Sequence, residues 1–220
     1  MIKQSEIQKI VQSYDKENIT IGVLGGHSGL DVCRGAKKQG FKTLAVCQKG
    51  REKTYTKYYK NRLDGRGCID ETIVIDKFSD IIKPEVQEEL RKKNTIFIHN
   101  RYFWVYFDFK DIENEFMVPI YGTRGMVKLE ERDVPKNQYY LMEKAGIRFP
   151  KIYEKPGDID KLVIVKVNEA ARGYERAFFF AQNPEDFEKK TKEMLSSGEI
   201  TQEALDNAVI EEYIVGAQVN

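Results

Sequence analysis

From Ile19 to Cys47 the chain reads ITIGVLGGHSGLDVCRGAKKQGFKTLAVC, and this stretch constrains the fold more than any other. Ile19 to Leu24 is a short apolar run rich in β-branched residues and closed by Gly25-Gly26, the pattern of a buried strand. Ser28 and Asp31 stand in the S-x-x-D relation, which predicts a capping box and a helix starting at Ser28. Leu30, Cys33 and Ala36 give that helix an apolar face, Gly40 ends it, and a second strand follows at Lys42 to Cys47. The unit is β-turn-α-β, with Gly25, Gly26, His27 and Ser28 at the carboxyl end of the first strand, where open α/β sheets bind ligands. Glycines admit close approach, and the N–H groups of a helix start attract anions. The pattern is G-G-H-S-G rather than G-x-G-x-x-G, and the second strand ends Cys47-Gln48-Lys49 with no acidic residue for a ribose hydroxyl, which disfavours a dinucleotide. On the turn alone, a phosphate-bearing ligand and a plain βα turn both stay open.

The rest of the first half repeats this alternation. Residues 3–14 suggest an amphipathic helix, 72–78 a third strand, Pro84 to Lys93 a helix with Pro in its first turn, and 95–99 a fourth strand ending on His99. Alternating strands and helices predict a doubly wound parallel sheet. After "FMVPIYGTRG" the style changes: a helix closed at Gly146, an extended segment near Pro150, a β-hairpin over 161–181 with a basic loop, a charged helix over 184–197, a turn at Gly198, a short helix, and a strand over 208–215. The expected division is a substrate-binding α/β domain over 1–122 and a second, α+β domain over 123–220.

Composition narrows the function classes. A 41% hydrophobic content over 220 residues is enough for real cores, and a net charge of +1 argues against coating nucleic acid or a membrane surface. The sequence has neither a membrane-spanning apolar run nor a signal-peptide h-region, so a cytoplasmic location is expected. Cys33, Cys47 and Cys68 lack metal-ligand spacing and read as buried reduced thiols.

His27 and His99 both sit at strand ends, where they either share a crevice, hydrogen-bonding a heterocycle or moving a proton, or serve as two unrelated loop histidines. They make a poor metal site. Lys49, Arg51, Lys53, Lys57, Lys60 and Arg62 alternate with Tyr55, Tyr58 and Tyr59, which suits a solvated or phosphate-facing loop better than an RNA-binding strip. Lys166 closes the apolar run Leu162 to Val165, and Glu211-Glu212-Tyr213-Ile214 close another. A strand lysine, a basic hairpin loop and an E-E-Y-I-x-G strand match the nucleotide site of ATP-grasp enzymes, in which the lysine neutralises phosphates and the strand backbone pairs with adenine.

With "ITIGVLGGHSGL", "GAKKQGF", "IENEFMVPIYGTR", "AGIRFPKIYEKPGDID", "VIVK", "ARG" and "IEEYIVG" in order, the chain resembles the archaeal formate-dependent formaminoimidazole-carboxamide ribonucleotide synthetases, the PurP ligases of purine biosynthesis. The resemblance implies an ATP- and Mg²⁺-dependent ligase that formylates the amine of AICAR, plausibly through formyl phosphate, and a family that tends to assemble into homo-oligomers. It implies His27 and Ser28 as contacts to AICAR, with His27 toward the reacting end; the turn adds Gly25 and Gly26 to that seat, Arg124 is expected beside it, and Arg101, a long cation where the family has a small hydroxyl, is expected to alter ligand choice there. It implies Lys166, Arg172, Gly173, Arg176, Glu211, Glu212, Tyr213 and Ile214 around ATP.

The chain also departs from the family. "EAARGYERAFFF" has lost glycines from the phosphate loop, and His99-Asn100-Arg101 stands where the family places His-Gly-Ser. The family runs beyond 220 residues and carries its metal ligands there, so this chain alone is expected not to turn over. A non-catalytic nucleotide-binding paralogue, and a ligase for another small carboxylate, are the alternatives.

Overall fold

Thr20–Leu24 (β1) lies at the centre of a four-stranded sheet ordered β3-β2-β1-β4, with β2 Lys42–Gln48, β3 Glu71–Ile75 and β4 Thr95–Phe97, every neighbouring pair parallel. The computed structural model describes residues 1–126, 129, 135–167 and 178–216, and the chain divides into two units, Met1–Glu130 and Glu131–Asn220.

In the first unit, α1 (Gln4–Gln12) opens the chain, α2 (Gly29–Lys38) joins β1 to β2, and α3 (Pro84–Lys92) precedes β4. Two short helices, α4 (Tyr102–Val105) and α5 (Phe109–Asn114), come after the sheet. Successive strand residues point to opposite faces, and here both faces are buried. Leu24, Leu44 and Val46 pack with Phe78, Leu90 and Phe97, whereas Val23, Ala45 and Cys47 pack with Cys33, Tyr55 and Ile69. α2 therefore covers one face and α3 the other, which is the doubly wound arrangement that the alternation predicts. Phe97, Phe103 and Phe116 are fully buried and meet edge to face at 5.4–5.8 Å; burial of each stabilises the unit by about 1.5–3 kcal/mol. Cys33, Cys47 and Cys68 are free and buried. Burial pushes the Cys33 and Cys47 thiols up to about 12 and raises that of Cys68.

The second unit begins with α6 (Gln138–Lys144) and carries an antiparallel sheet ordered β5-β8-β6-β7, with β5 Ile152–Tyr153, β6 Val163–Lys166, β7 Phe178–Ala181 and β8 Val209–Glu212. Val163, Val165, Phe179, Ala181 and Ile210 share a face and pack under α7 (Pro184–Ser196) and α8 (Gln202–Asp206), through Phe187 and Ala204. Asn183 caps α7 by accepting from Asp186 N–H at 2.8 Å.

Several boundaries differ from the sequence expectation. Ser28 does not cap α2: its backbone is left-handed (φ 62°), whereas a capping residue needs an extended backbone, and the helix starts at Gly29. The fourth strand stops at Phe97, two residues before His99. The third strand stops at Ile75, and Phe78–Ile82 forms a 3₁₀ turn that buries Phe78. The tyrosine-rich segment contains a π-helical turn, Thr54–Tyr58, with Tyr55 buried. The last strand ends at Glu212, leaving Tyr213 and Ile214 beyond it.

Candidate functional site

Two places concentrate polar groups, one in each unit. In the first unit the chain steps from β1 to β2 to β3 in one direction and then returns to place β4 on the far side of β1. That reversal puts a crevice at the carboxyl ends of β1 and β4, the position at which open α/β sheets bind ligands. Gly25 to Ser28 leave β1 there, and His99 to Tyr102 follow β4.

The glycine turn is held by its neighbours. Gly25 N–H donates to Val46 C=O at 2.7 Å, Gly26 N–H to Leu24 C=O at 2.8 Å, and Gly29 N–H to Gly26 C=O at 2.9 Å. The Tyr102 ring covers Gly26 so closely that a Cβ there would lie 1.8 Å from Cε2, which leaves no room for a side chain while the ring stays in place. Buried Asn100 donates from Nδ2 to Leu24 C=O at 3.0 Å and accepts from Tyr102 N–H at 3.1 Å, tying the last residue of β1 to the first of α4. The Tyr55 hydroxyl reaches Gly26 C=O at 3.4 Å. His27 and Ser28 are exposed, and the Ser28 hydroxyl is 2.8 Å from His27 Nδ1.

The other expected ligand contacts fall into distinct environments. His99 is half-buried and donates from Nε2 to Thr123 C=O at 3.3 Å, so that nitrogen carries its proton; no hydrogen bond joins it to His27. Arg101 is half-buried, next to Tyr102, and has no partner among the described residues. Arg124 holds three carbonyls, donating to Ile112 at 3.1 Å, Phe116 at 2.8 Å and Val118 at 3.3 Å, and burial lowers its pKa. Its observed contacts are those of a backbone clasp between α5 and the segment after it. Sequence inspection missed Asn100, Tyr102 and Tyr55 as shapers of the turn; the signal available was the position of Asn100 and Tyr102 just after the strand beside β1.

In the second unit the register puts Ile164 opposite Glu211 and Lys166 opposite Phe178 and Val209. Lys166 and Glu211 are thus diagonal neighbours on the sheet face away from α7. The Glu211 carboxylate, 2% exposed, accepts from Lys166 Nζ and from the Tyr139 hydroxyl of α6. Around the pair the face is apolar and open: Ile152, Phe178 and Phe180 are all exposed there. Glu212 turns to the opposite face, 3.0 Å from Lys161, whose hydrogen bond holds its carboxyl below the usual range. Tyr213 N–H donates to Leu162 C=O at 2.9 Å, its ring meets Phe180 at 4.9 Å, and Ile214 is exposed. Arg172, Gly173 and Arg176 lie outside the described residues. Among the described residues no three His, Cys, Asp or Glu side chains form a group able to hold a metal ion, and Glu211 and Glu212 face away from each other. These residues do not fit Mg²⁺.

No helix among the described residues is long and apolar enough to cross a membrane. The family model described as "Protein of unknown function (DUF1246)" matches residues 21–153, and one described as "Domain of unknown function (DUF1297)" matches 186–220. A protein of Methanothermobacter thermautotrophicus named 5-formaminoimidazole-4-carboxamide-1-(beta)-D-ribofuranosyl 5'-monophosphate synthetase is 42% identical over 98% of this chain and 56% of its own length. One of the same name from Methanopyrus kandleri is 38% identical over 98% of this chain and 57% of its own. The chain spans about half the length of these curated relatives. Among solved structures, the IMP biosynthesis protein PurP from Thermococcus kodakaraensis superposes with a TM-score of 0.51 at 20% identity, over 89% of this chain and 50% of that one. An N5-carboxyaminoimidazole ribonucleotide synthetase superposes with a TM-score of 0.55 at 13% identity, over 90% of this chain and 47% of that one. At those identities the likeness shows the fold: an α/β domain leading into an ATP-grasp domain. With the DUF1246 model covering more than half of it and relatives so named matching almost its whole length, the chain belongs to the family of the archaeal formaminoimidazole-carboxamide ribonucleotide (PurP) synthetases.

Proposed function

We propose that this chain carries the substrate seat and the first part of the nucleotide site of an ATP-dependent ligase that formylates AICAR with formate, giving FAICAR, ADP and phosphate. The observation that carries this reading is the 42% identity over 98% of the chain to a synthetase named for that product, an alignment that runs through both polar sites.

In this reading the phosphate of AICAR sits at the Gly25–Ser28 turn; the Gly25, Gly26 and Gly29 N–H groups are held by backbone carbonyls, and the N–H groups of Leu30 and Asp31 in the first turn of α2, which lack intrahelical partners, face the anion. Arg101 is a further cation beside that seat. The Ser28 hydroxyl engages His27 Nδ1 and so leaves Nε2 as the ring atom that meets the imidazole ribonucleotide. Formate attacks the γ-phosphorus of ATP, ADP leaves, and formyl phosphate results. The 5-amine of AICAR then attacks the formyl carbon; the C–N bond forms, the C–O bond to phosphate breaks, and the departing phosphate or His27 Nε2 takes the amine proton. Lys166 supplies positive charge to the ATP phosphates once they compete with Glu211 for its ammonium. The aromatic and aliphatic side chains of the open sheet face suit the adenine ring, alongside the Glu211 to Ile214 backbone. Mg²⁺ would in this chemistry stabilise charge on the transferred phosphoryl group, and the described residues offer it no cluster of three His, Cys, Asp or Glu side chains.

The test is to incubate the complete protein carrying this sequence with ATP, AICAR and ¹³C-formate, and to follow FAICAR by mass spectrometry. Formate-dependent FAICAR is expected, reduced at least about tenfold by His27→Ala. ATP hydrolysis with no FAICAR overturns the assignment.

A further inference from the structure

A histidine that the chemistry above leaves aside stands at the same crevice. Ile98 N–H donates to Gly22 C=O at 2.8 Å, and Asn100 Nδ2 donates to Leu24 C=O at 3.0 Å. The residues on either side of His99 are therefore both bonded to β1, at the point where the glycine turn leaves it. The backbone at His99 is about one strand spacing, ~4.8 Å, from the start of that turn.

On its other side β4 pairs with the segment that follows Val118. Phe97 N–H donates to Pro119 C=O at 2.7 Å, Tyr121 N–H donates to Phe97 C=O at 2.9 Å, and Phe97 and Ile120 form a parallel bridge. Gly122, at φ 83°, turns the chain, and Thr123 C=O then accepts from His99 Nε2 at 3.3 Å. Arg124, the next residue, anchors this segment through its bonds to the carbonyls of Ile112, Phe116 and Val118. A carbonyl only accepts, so Nε2 carries the ring proton, and Nδ1 of the neutral ring is left as an acceptor. Nδ1 has no donor among the described residues. The imidazole is held in one tautomer with its second nitrogen unused.

An acceptor lone pair repels an anion and takes an N–H or O–H. The ligand's phosphate is thereby excluded as its partner. Position agrees: α2 leads from β1 to β2, so a phosphate at its start lies on the β2 side of β1, whereas His99 stands on the other side, along β4. The end of AICAR away from its phosphate is the end that reaches β4, and that end carries the carboxamide.

We propose that His99 is a specificity-determining contact to the ligand's heterocycle: Nδ1 accepts from a carboxamide N–H and so selects the amide over the corresponding carboxylate. Thr123 and Arg124 are positioning residues that set the tautomer. This rests on the reading that the phosphate of AICAR occupies the Gly25–Ser28 turn. A carboxylate offers only acceptors, which leaves Nδ1 unpaired and facing negative charge.

The experiment is calorimetric titration of the complete protein carrying this sequence, in weakly alkaline buffer that keeps imidazoles neutral. The ligands are AICAR and, separately, the analogue in which a carboxylate replaces the carboxamide. Wild type is expected to prefer the amide by about 30-fold. His99→Gln puts an amide nitrogen where Nε2 stands, keeping the bond to Thr123, but has no atom at the place of Nδ1. It is expected to weaken AICAR about tenfold and to change the carboxylate analogue by less than about twofold. His99→Asn keeps an amide oxygen at the place of Nδ1 and should stay within about threefold of wild type for AICAR. Arg124→Lys keeps the charge without the three bonds, and should lower the amide preference about threefold. Thermal midpoints are read in parallel, and His99→Leu serves if His99→Gln does not fold. AICAR binding that persists unchanged in His99→Gln and His99→Leu overturns this proposal alone. Equal losses for amide and carboxylate also overturn it, since they show a structural effect. A wild-type protein that binds no AICAR overturns the reading of the turn, and this proposal with it.

Discussion

In the first unit the turn offered to a ligand is braced from behind by neutral groups, Asn100, Tyr102 and Tyr55, all of which bond or pack against its backbone. In the second unit the group offered to a ligand is itself an ion, Lys166, held on an open apolar face by a carboxylate that is 2% exposed. The first arrangement is satisfied whether or not a ligand is bound. The second loses its ion pair when a nucleotide draws Lys166 away, although the Tyr139 hydroxyl stays on the carboxylate, so the nucleotide must make good the loss. The first site is a preformed seat, and the second is a contact that exchanges partners.

The largest effect separating the two is expected at Lys166. Lys166→Met deprives a buried carboxylate of the ammonium that neutralises it, and should destabilise the second unit by about 3–5 kcal/mol, with much of the loss recovered in the double variant Lys166→Met/Glu211→Gln. Urea denaturation reads this directly; a single variant as stable as wild type breaks the contrast. A middling effect is expected at the turn. Gly26→Val drives a side chain into the Tyr102 ring and should cost about 2 kcal/mol, a penalty that Tyr102→Ala relieves. If Gly26→Val alone keeps the wild-type melting profile, the turn is not braced as described.

The smallest effect is expected in acid. Burial raises the Asp70 pKa, but bonds from Lys37, Thr43 and Asn61 outweigh it, and the net displacement is downward. A carboxyl depressed in the folded state contributes stability that is complete above its unfolded value, about 3.9, and is lost as pH falls through the folded value. The first unit should therefore weaken as pH falls below about 4, and Asp70→Asn should flatten that part of the profile. In the second unit Glu212–Lys161 is lowered too but is solvent-screened, so its slope should be shallower. An identical acid slope in Asp70→Asn and wild type would remove Asp70 from the account.

The sheet of the first unit was readable because its strands are buried on both faces, which writes near-continuous apolar runs such as those of β1 and β2 into the sequence. The lysine and the E-E-Y-I run were readable because strand periodicity puts them at the ends of apolar segments. Asn100 was not. Its partner Leu24 lies 76 residues away, and no local pattern distinguishes an asparagine that staples two strand ends from one in an ordinary loop. Ser28 misled for the complementary reason: the S-x-x-D spacing is local, but the left-handed backbone of the glycine turn overrides it and gives the hydroxyl to His27. Arg124 shows a third kind of gap, since sequence gives its charge and not the three carbonyls that occupy it.

The three thiols have a practical consequence. Cys33, Cys47 and Cys68 are the only cysteines in the chain; all are buried, and their raised pKa values keep them as neutral S–H groups at physiological pH. The folded chain is thereby a blank background for maleimide chemistry. A cysteine introduced at an exposed position such as Val105 in the first unit or Val215 in the second is the one thiolate available to a fluorophore or spin label. A reporter on each unit can then follow ligand arrival without stripping a native side chain from either core.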